Sequence, residues 1–135
     1  MQRRRPKDLV LIDARAFAER LSTAALITDA TGNLVFYNEA AEHLVGRPFA
    51  EAGEMPADKW PAMFTVRRLD GTSVGVGEML GGRVIIEHKP AHGKLRFTAF
   101  EGTEHTIEVT ALPIFTGEKE PVGIIALFWP DADGA

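Results

Sequence analysis

The segment "ITDATGNLVFYNEAAEHLVGR", residues 27–47, constrains the fold more than any other part of the chain. Two apolar runs, Ala24–Asp29 and Leu34–Asn38, lie on either side of "DATGN", whose glycine supplies the positive φ that a tight connection needs. Asn38 can accept hydrogen bonds from the first turn of a following helix, and Gly46 can end that helix. The segment therefore predicts an antiparallel hairpin that leads directly into a short helix.

Two further regions carry helical or broken patterns. After a basic tail over residues 1–7, apolar residues at helical spacing predict an amphipathic helix over residues 8–21. Prolines and glycines interrupt the middle of the chain, so only short helices are predicted there, as a cap over the rest of the domain. These short helices are placed at Phe49–Ala52, Lys59–Phe64 and Gly77–Leu80.

The last third of the chain is predicted to be rich in strands. Val84–His88 and Leu95–Glu101 are predicted as strands on either side of the turn-like "KPAHGK". Apolar and polar residues alternate over His105–Phe115, as in a half-buried strand, and Val122–Trp129 is apolar enough for a central strand. The order of elements predicts an α+β fold, with one antiparallel sheet and the helices gathered on one face.

Bulk composition excludes several classes of function. The 135 residues suit one domain, and a net charge of −4 argues against nucleic-acid binding. The absence of cysteine excludes disulfides, thiolate metal sites and covalent thiol–chromophore adducts. No apolar run approaches the roughly 20 residues that span a bilayer, and charged residues interrupt the apolar run that follows the basic start. A cytoplasmic protein without a membrane or nucleic-acid partner is expected.

Three segments resemble the PAS domain family: the hairpin–helix segment above, "RRLDGT" and "ALPIFTGEKEPVGIIALF". The resemblance places a PAS domain at residues 22–130, followed by a C-terminal tail at residues 131–135. It implies a five-stranded antiparallel sheet in the order 2-1-5-4-3, with short helices on one face and Val122–Trp129 in the middle. It also implies a sensor or interaction domain without catalysis.

The resemblance further implies a cavity between the sheet and the short helices, where some members of the family hold haem, flavin, a small acid or a lipid. Flavin adduct chemistry needs a cysteine, and "VGVGEMLGG" lacks the histidine with which haem-binding members ligate iron. No pair of histidines and carboxylates has the spacing of a metal site. Haem, flavin and metal are therefore not expected, whereas a fatty acid or another small apolar molecule is compatible with the sequence.

The expected walls of this cavity are large apolar side chains. The candidate ligand-binding residues are Leu26, Tyr37, Leu44, Trp60, Phe64, Met79, Leu80, Phe97, Val109 and Phe128. In the alternative interpretation these residues pack against one another and fill the core, and the Tyr37 hydroxyl is bonded locally. Arg67 or Arg83 could pair with a ligand carboxylate, although an exposed arginine is the commoner outcome.

The N-terminal helix is the expected partner surface. The resemblance implies homodimerisation through such a helix, and the candidate interface residues are Leu9, Val10, Ala14, Phe17 and Leu21. The alternative is that this helix covers its own sheet. The corresponding alternative function is a ligand-free dimerisation module with a filled core.

An enzyme of an unrecognised kind is the third hypothesis. Its only support is the closeness in sequence of acidic residues and a histidine, Glu101, Glu104, His105 and Glu108. Glu104 and Glu108 lie on the polar side of their predicted strand, so a solvated face explains them equally well. No catalytic residue is therefore assigned.

Overall fold

A computed structural model describes residues 7–74, 80–116 and 121–131 of the protein. The strands are β1 (Ala24–Asp29), β2 (Leu34–Tyr37), β3 (Ala91–Thr98), β4 (Glu104–Phe115) and β5 (Pro121–Pro130). The helices are α1 (Lys7–Ala18), α2 (Glu39–Val45), α3 (Phe49–Ala52), α4 (Trp60–Met63) and α5 (Leu80–Glu87). Among these residues, no helix has the length and apolar character needed to cross a lipid bilayer.

The strands form one antiparallel sheet in the order β2-β1-β5-β4-β3. This order and the α+β class confirm the fold that the resemblance implies. The most apolar strand, β5, lies at the centre between β1 and β4, where both of its faces are covered. Strands β2 and β3 lie at the two edges of the sheet.

Each face of the sheet packs into its own apolar cluster, because successive side chains of a strand point to opposite faces. Ile124, Ala126 and Phe128 of β5 belong to the inner cluster, together with buried residues of the short helices. Ile125 and Leu127 belong to the outer cluster, which α1 covers. The inner face is therefore the one on which a cavity can form.

Helix α1 covers part of the outer face of its own sheet, packing against β1, β4 and β5. The residues that pack into the outer cluster are Leu11, Ala14, Ala18 and Leu21, and Val10 is also buried. Of the five candidate interface residues, Leu9 and Phe17 are the exposed ones. Phe17 is 61% exposed and Ile12 is 59% exposed. A second, solvent-facing apolar row thus remains on α1.

The prediction of a strand at Val84–His88 is wrong, because these residues lie in α5 or directly after it. Consecutive β-branched residues favour a strand locally, but α5 lies against β3, β4 and β5 and buries only one side of the run. Val84 is fully buried while Ile86 is 78% exposed, which suits an amphipathic helix. His88 ends the helix with a left-handed φ of 60°.

Two neighbouring predictions also change. The segment "KPAHGK" is not a turn throughout, because Ala91–Lys94 begin β3 and pair with β4. The short helix predicted at Gly77–Leu80 falls mainly on residues 77–79, which lie outside the described residues. The helix predicted at Phe49–Ala52 is α3, and the one predicted at Lys59–Phe64 contains α4.

The lid, residues 47–74, is hydrogen-bonded to both edges of the sheet. At the β2 edge, Leu34 and Met55 exchange backbone hydrogen bonds of 2.8 and 3.1 Å. At the β3 edge, Arg67 and Arg96 exchange two backbone hydrogen bonds of 2.9 Å each. The lid therefore spans the inner face from one edge strand to the other.

Asn38 is the buried polar residue that joins three elements. Its Oδ1 atom accepts hydrogen bonds from the backbone N–H groups of Ala25 in β1 and Ala41 in α2, each at 3.0 Å. Its Nδ2 atom donates to the backbone oxygens of Ala18 at 2.9 Å and Thr23 at 3.0 Å. Because an amide side chain has two donor hydrogens and an oxygen with two lone pairs, its hydrogen-bonding capacity is fully used.

We expect Asn38→Ala to lower the free energy of unfolding by about 2–4 kcal/mol, since it leaves buried backbone groups without partners. Urea denaturation followed by circular dichroism measures the change. The control Glu39→Gln, at the exposed neighbouring residue, should change stability by less than about 0.5 kcal/mol. A loss below about 1 kcal/mol for Asn38→Ala would show that these bonds do not join the elements.

Candidate functional site

A cavity of about 310 Å³ lies between the inner face of the sheet and the helices that cover it. Its volume is at the lower end of the roughly 300–1,000 Å³ typical of small-molecule pockets. The sheet contributes Leu26, Tyr37, Phe97, Ile107, Val109, Ala111, Ile124, Ala126 and Phe128. The covering elements contribute Val45, Trp60, Phe64, Val66, Gly82, Ile85 and Ile86. The wall is thus predominantly apolar.

Two small residues on central strands provide the space for this cavity. Ala111 of β4 and Ala126 of β5 lie directly opposite each other in the register, and both line the cavity. The next inward-facing pair of the same ladder, Val109 and Phe128, carries larger side chains. A methyl group at two adjacent inward positions leaves volume that the neighbouring rings do not fill.

Most of the wall residues predicted from the sequence lie together around this cavity. Those that line it are Leu26, Tyr37, Trp60, Phe64, Phe97, Val109 and Phe128. Leu44 is half-buried and packs against the inner cluster without lining the cavity. Met79 lies outside the described residues, and Leu80 is the first residue of α5.

The sequence prediction missed several wall residues. Ile107 and Ile124 share the strand period of Val109 and Phe128, so extending the alternation along β4 and β5 would have found them. Val45, Val66 and Ile85 carried no such signal. The turn residues of 29–32 also line the cavity, and only the folded hairpin brings them there.

The turn between β1 and β2 is held rigidly at one end of the cavity. Asp29 Oδ1 accepts hydrogen bonds from the Thr31 N–H, the Thr31 hydroxyl and the Asn33 N–H, and Oδ2 accepts from Asn33 Nδ2. Partial burial alone would raise the pKa of the Asp29 carboxyl, but the hydrogen bonds from Thr31 and Asn33 outweigh it and lower that pKa. Asp29 is therefore ionised at neutral pH.

Side chains also connect this turn to the lid. Trp60 Nε1 donates to the Gly32 oxygen at 2.9 Å, and Asn33 Oδ1 accepts from the Ala57 N–H at 2.9 Å. Trp60 is a wall residue, so one of the large walls of the cavity is fixed in orientation by the hairpin turn. The position of the lid over the cavity thus depends on the β1–β2 connection.

Tyr37 places its ring in the cavity wall while its hydroxyl donates to the Arg47 oxygen at 2.8 Å. Burial raises the pKa of Tyr37 to about 12, and the negative charge of Glu42 adds to the shift. The hydroxyl is therefore bonded locally, as the alternative interpretation of Tyr37 predicted. At neutral pH it is a neutral phenol.

Phe49 of α3 links the inner and outer clusters. Its ring packs edge-on against Tyr37 and against Phe36, with centroid separations of 5.2 Å in both cases. The Arg15 guanidinium of α1 lies 4.3 Å from the Phe36 ring centroid, a cation–π distance. A continuous set of contacts therefore runs from the cavity wall to the N-terminal helix.

The acidic residues considered for catalysis do not converge on the cavity. Glu104 receives hydrogen bonds from Arg67 and Arg96, and these bonds and charges lower the pKa of its carboxyl. Glu108 lies 3.2 Å from His92. His105 stacks on Phe97 with a centroid separation of 5.0 Å. Among the described residues, no group of three or more potential ligands lies close enough to hold a metal ion.

The arginines considered as carboxylate anchors are engaged elsewhere. Arg67 forms its ion pair with Glu104, and Arg83 lies 3.4 Å from Glu87 on the next turn of α5. Neither arginine lines the cavity. Arg96 does line it, and its guanidinium donates to Glu104 Oε1 at 2.8 Å.

Because Tyr37 is the single tyrosine of the chain, alkaline titration reports on it alone. We expect tyrosinate absorbance to appear with a midpoint of about 12 in the folded chain and near the ordinary 10.0 in urea. Since the folded pKa is the higher one, this group's contribution to stability is complete below pH 10 and is lost as pH rises through about 12. Tyrosinate forming near 10.0, with circular dichroism still native, would contradict the burial of this hydroxyl.

Comparison with solved structures identifies the fold. A PAS domain from Colwellia psychrerythraea superposes with a TM-score of 0.64 at 19% identity, covering 90% of this chain and 97% of that chain. The PAS domain of an HTR-like protein from Haloarcula marismortui gives 0.60 at 12% identity, covering 92% and 93%. The PAS domain of the fruit-fly ELK potassium channel gives 0.63 at 11% identity, covering 89% and 95%.

The sequence itself matches no protein-family model and no curated protein. At identities this low, similarity to solved structures establishes the fold and leaves ligand and partner open. The sheet order, the short helices over the inner face and the superposed structures agree. The chain therefore has a PAS-like fold.

Proposed function

We propose that the chain acts as a cytoplasmic, non-catalytic PAS-type sensor that binds a small apolar molecule and homodimerises through α1. The observation that carries this proposal is the apolar cavity of about 310 Å³ at the centre of the inner face. The wall is almost wholly apolar, and the volume lies within the range of small-molecule pockets, roughly 300–1,000 Å³. A pocket with this lining is typical of a site for a small apolar ligand.

The apolar wall favours a small molecule over water as the occupant of this space. Removal of apolar surface from water is favourable by roughly 25 cal/mol for each Å². A molecule that fills the space also gains dispersion contacts with the aromatic and aliphatic walls. In the competing function, a dimerisation module without a ligand, the protein's own side chains fill this space.

The exposed apolar side chains on the solvent-facing side of α1, Leu9, Ile12 and Phe17, form the proposed dimer surface. On the opposite side of α1, Val10 is buried and Ala14 packs into the outer cluster, as does Leu21 just after the helix. Adjacent exposed apolar side chains on one helix are typical of an interaction surface. A second copy of the chain can cover them by placing its own α1 alongside, which makes the contact self-complementary.

The proposed mechanism connects the two sites through the lid. Ligand occupancy displaces the short helices within residues 47–82, which include wall residues such as Trp60 and Phe64. The contacts of Phe49 with Tyr37 and Phe36, and of Phe36 with Arg15, supply a route to α1. Ligand binding can change dimer stability only to the extent that the ligand binds the two arrangements with different affinity.

We expect the purified chain to carry, or to take up, a small apolar molecule that native mass spectrometry detects as added mass. In Ala126→Leu the larger side chain enters the cavity, so bound mass should disappear while the melting temperature stays equal or rises. Leu127→Met, on the opposite face of the same strand, is the control and should retain the ligand. Equal behaviour of the two variants, with no bound mass in the parent chain, would favour the ligand-free module.

The dimer proposal predicts that Ile12→Glu combined with Phe17→Glu weakens self-association by at least about tenfold, since two charges replace buried apolar contacts. Light scattering over a concentration series measures the dissociation constant. Ala50→Glu, which places the same charge on an exposed site of α3, should leave it unchanged. A dimer that survives the double substitution would place the interface elsewhere.

A further inference from the structure

We propose that the cavity selects uncharged, hydrocarbon-like molecules and rejects carboxylates, so that its ligand is an aromatic or aliphatic compound without an acidic group. The inference rests on the proposed function, because it names the ligand class of the same cavity. The ligands considered from the sequence included fatty acids, and this inference excludes them because they carry a carboxylate. The reason is that the donors of the neutral side chains in the described wall are bound within the protein, and its cationic side chain, Arg96, is paired with a carboxylate.

The hydrogen-bond donors of the two aromatic wall residues Tyr37 and Trp60 are bound to backbone oxygens of the protein. The Tyr37 hydroxyl donates to the Arg47 oxygen at 2.8 Å, and Trp60 Nε1 donates to the Gly32 oxygen at 2.9 Å. An indole has one N–H and a phenol has one O–H, so neither has a further hydrogen to offer. Both rings therefore present only their apolar surfaces and, for Tyr37, oxygen lone pairs.

The threonines of the hairpin end are committed in the same way. The Thr28 hydroxyl donates to the Asp29 oxygen at 3.0 Å, and the Thr31 hydroxyl donates to Asp29 Oδ1 at 2.8 Å. Each hydroxyl can still accept a hydrogen bond but cannot donate a second one. A ligand with acceptor groups alone finds no partner among them.

The charges around the cavity add to this selection. Arg96 is the cationic member of the described wall, and its guanidinium donates to Glu104 at 2.8 Å and to the Leu69 oxygen at 3.2 Å. Asp29 is the anionic member, and its negative charge would repel a carboxylate. The sequence of residues 75–79, "GVGEM", contains no basic residue.

Among the neutral side chains of the described wall, a carboxylate would therefore find no free hydrogen-bond donor, and Arg96 already pairs with Glu104. Transfer of an ionised group from water to such an environment is strongly unfavourable unless it is paired. A carboxylate has acceptor atoms only, whereas an aromatic hydrocarbon needs no polar partner. The difference should appear as selectivity between molecules that have the same shape and differ in charge.

Isobutylbenzene and phenylacetate form such a pair, because an isopropyl group in one replaces the carboxylate in the other. Each is added to the full chain at neutral pH, and binding is measured by the shift in melting temperature and by methyl resonances of the wall residues. We expect isobutylbenzene to bind at least about tenfold more tightly than phenylacetate. In Ala126→Leu the response to isobutylbenzene should be lost, and in Leu127→Met it should persist.

The outcomes separate this inference from the proposed function. Binding of phenylacetate with equal or higher affinity would overturn the selectivity while supporting a ligand-binding cavity. That result would point to the N–H groups at the start of α5, where Gly82 lines the cavity, as donors. Failure of both molecules to bind would overturn the inference and would also remove the support for a ligand sensor.

Discussion

The four side-chain hydrogen bonds of Asn38 determine how the helices meet the sheet. Its amide oxygen accepts hydrogen bonds from backbone N–H groups of β1 and α2. Its amide nitrogen donates to backbone oxygens at the end of α1 and in the segment that follows it. An aliphatic residue could fill the same space but would leave the surrounding backbone groups unpaired. One buried side chain, 1% exposed, thus links α1 on the outer face and α2 on the inner face to the same strand.

Local chemistry was sufficient to predict this part of the fold. The turn residues between the first two strands, the helix-capping amide of Asn38 and the terminal Gly46 each favour one local structure, and these structures agree with one another. Gly46 adopts the left-handed conformation, with a φ of 82°, that ends a helix. Val84–His88 had no such signals, and its β-branched residues favoured a strand although the tertiary environment selects a helix.

The sequence was sufficient to predict many of the residues that line the cavity, but it did not predict which of their polar groups are free. Large apolar residues at strand period indicate inward-facing positions, which is why Val109 and Phe128 could be identified. Whether Tyr37 and Trp60 have hydrogens available for a ligand depends on backbone oxygens contributed by Arg47 and Gly32, at distances that sequence patterns do not encode. The polar character of the cavity wall therefore depends on three-dimensional hydrogen bonding that composition alone does not reveal.

The attachment of the lid to β2 and β3 has a consequence for how copies of the chain can associate. Unpaired N–H and C=O groups on outermost strands are templates for sheet extension and fibre growth. Here, Met55 and Arg67 occupy such groups on opposite sides of the sheet, at Leu34 and Arg96. The lid thus takes up part of the hydrogen-bonding capacity of each outermost strand, which leaves fewer backbone groups there open to pairing with another chain.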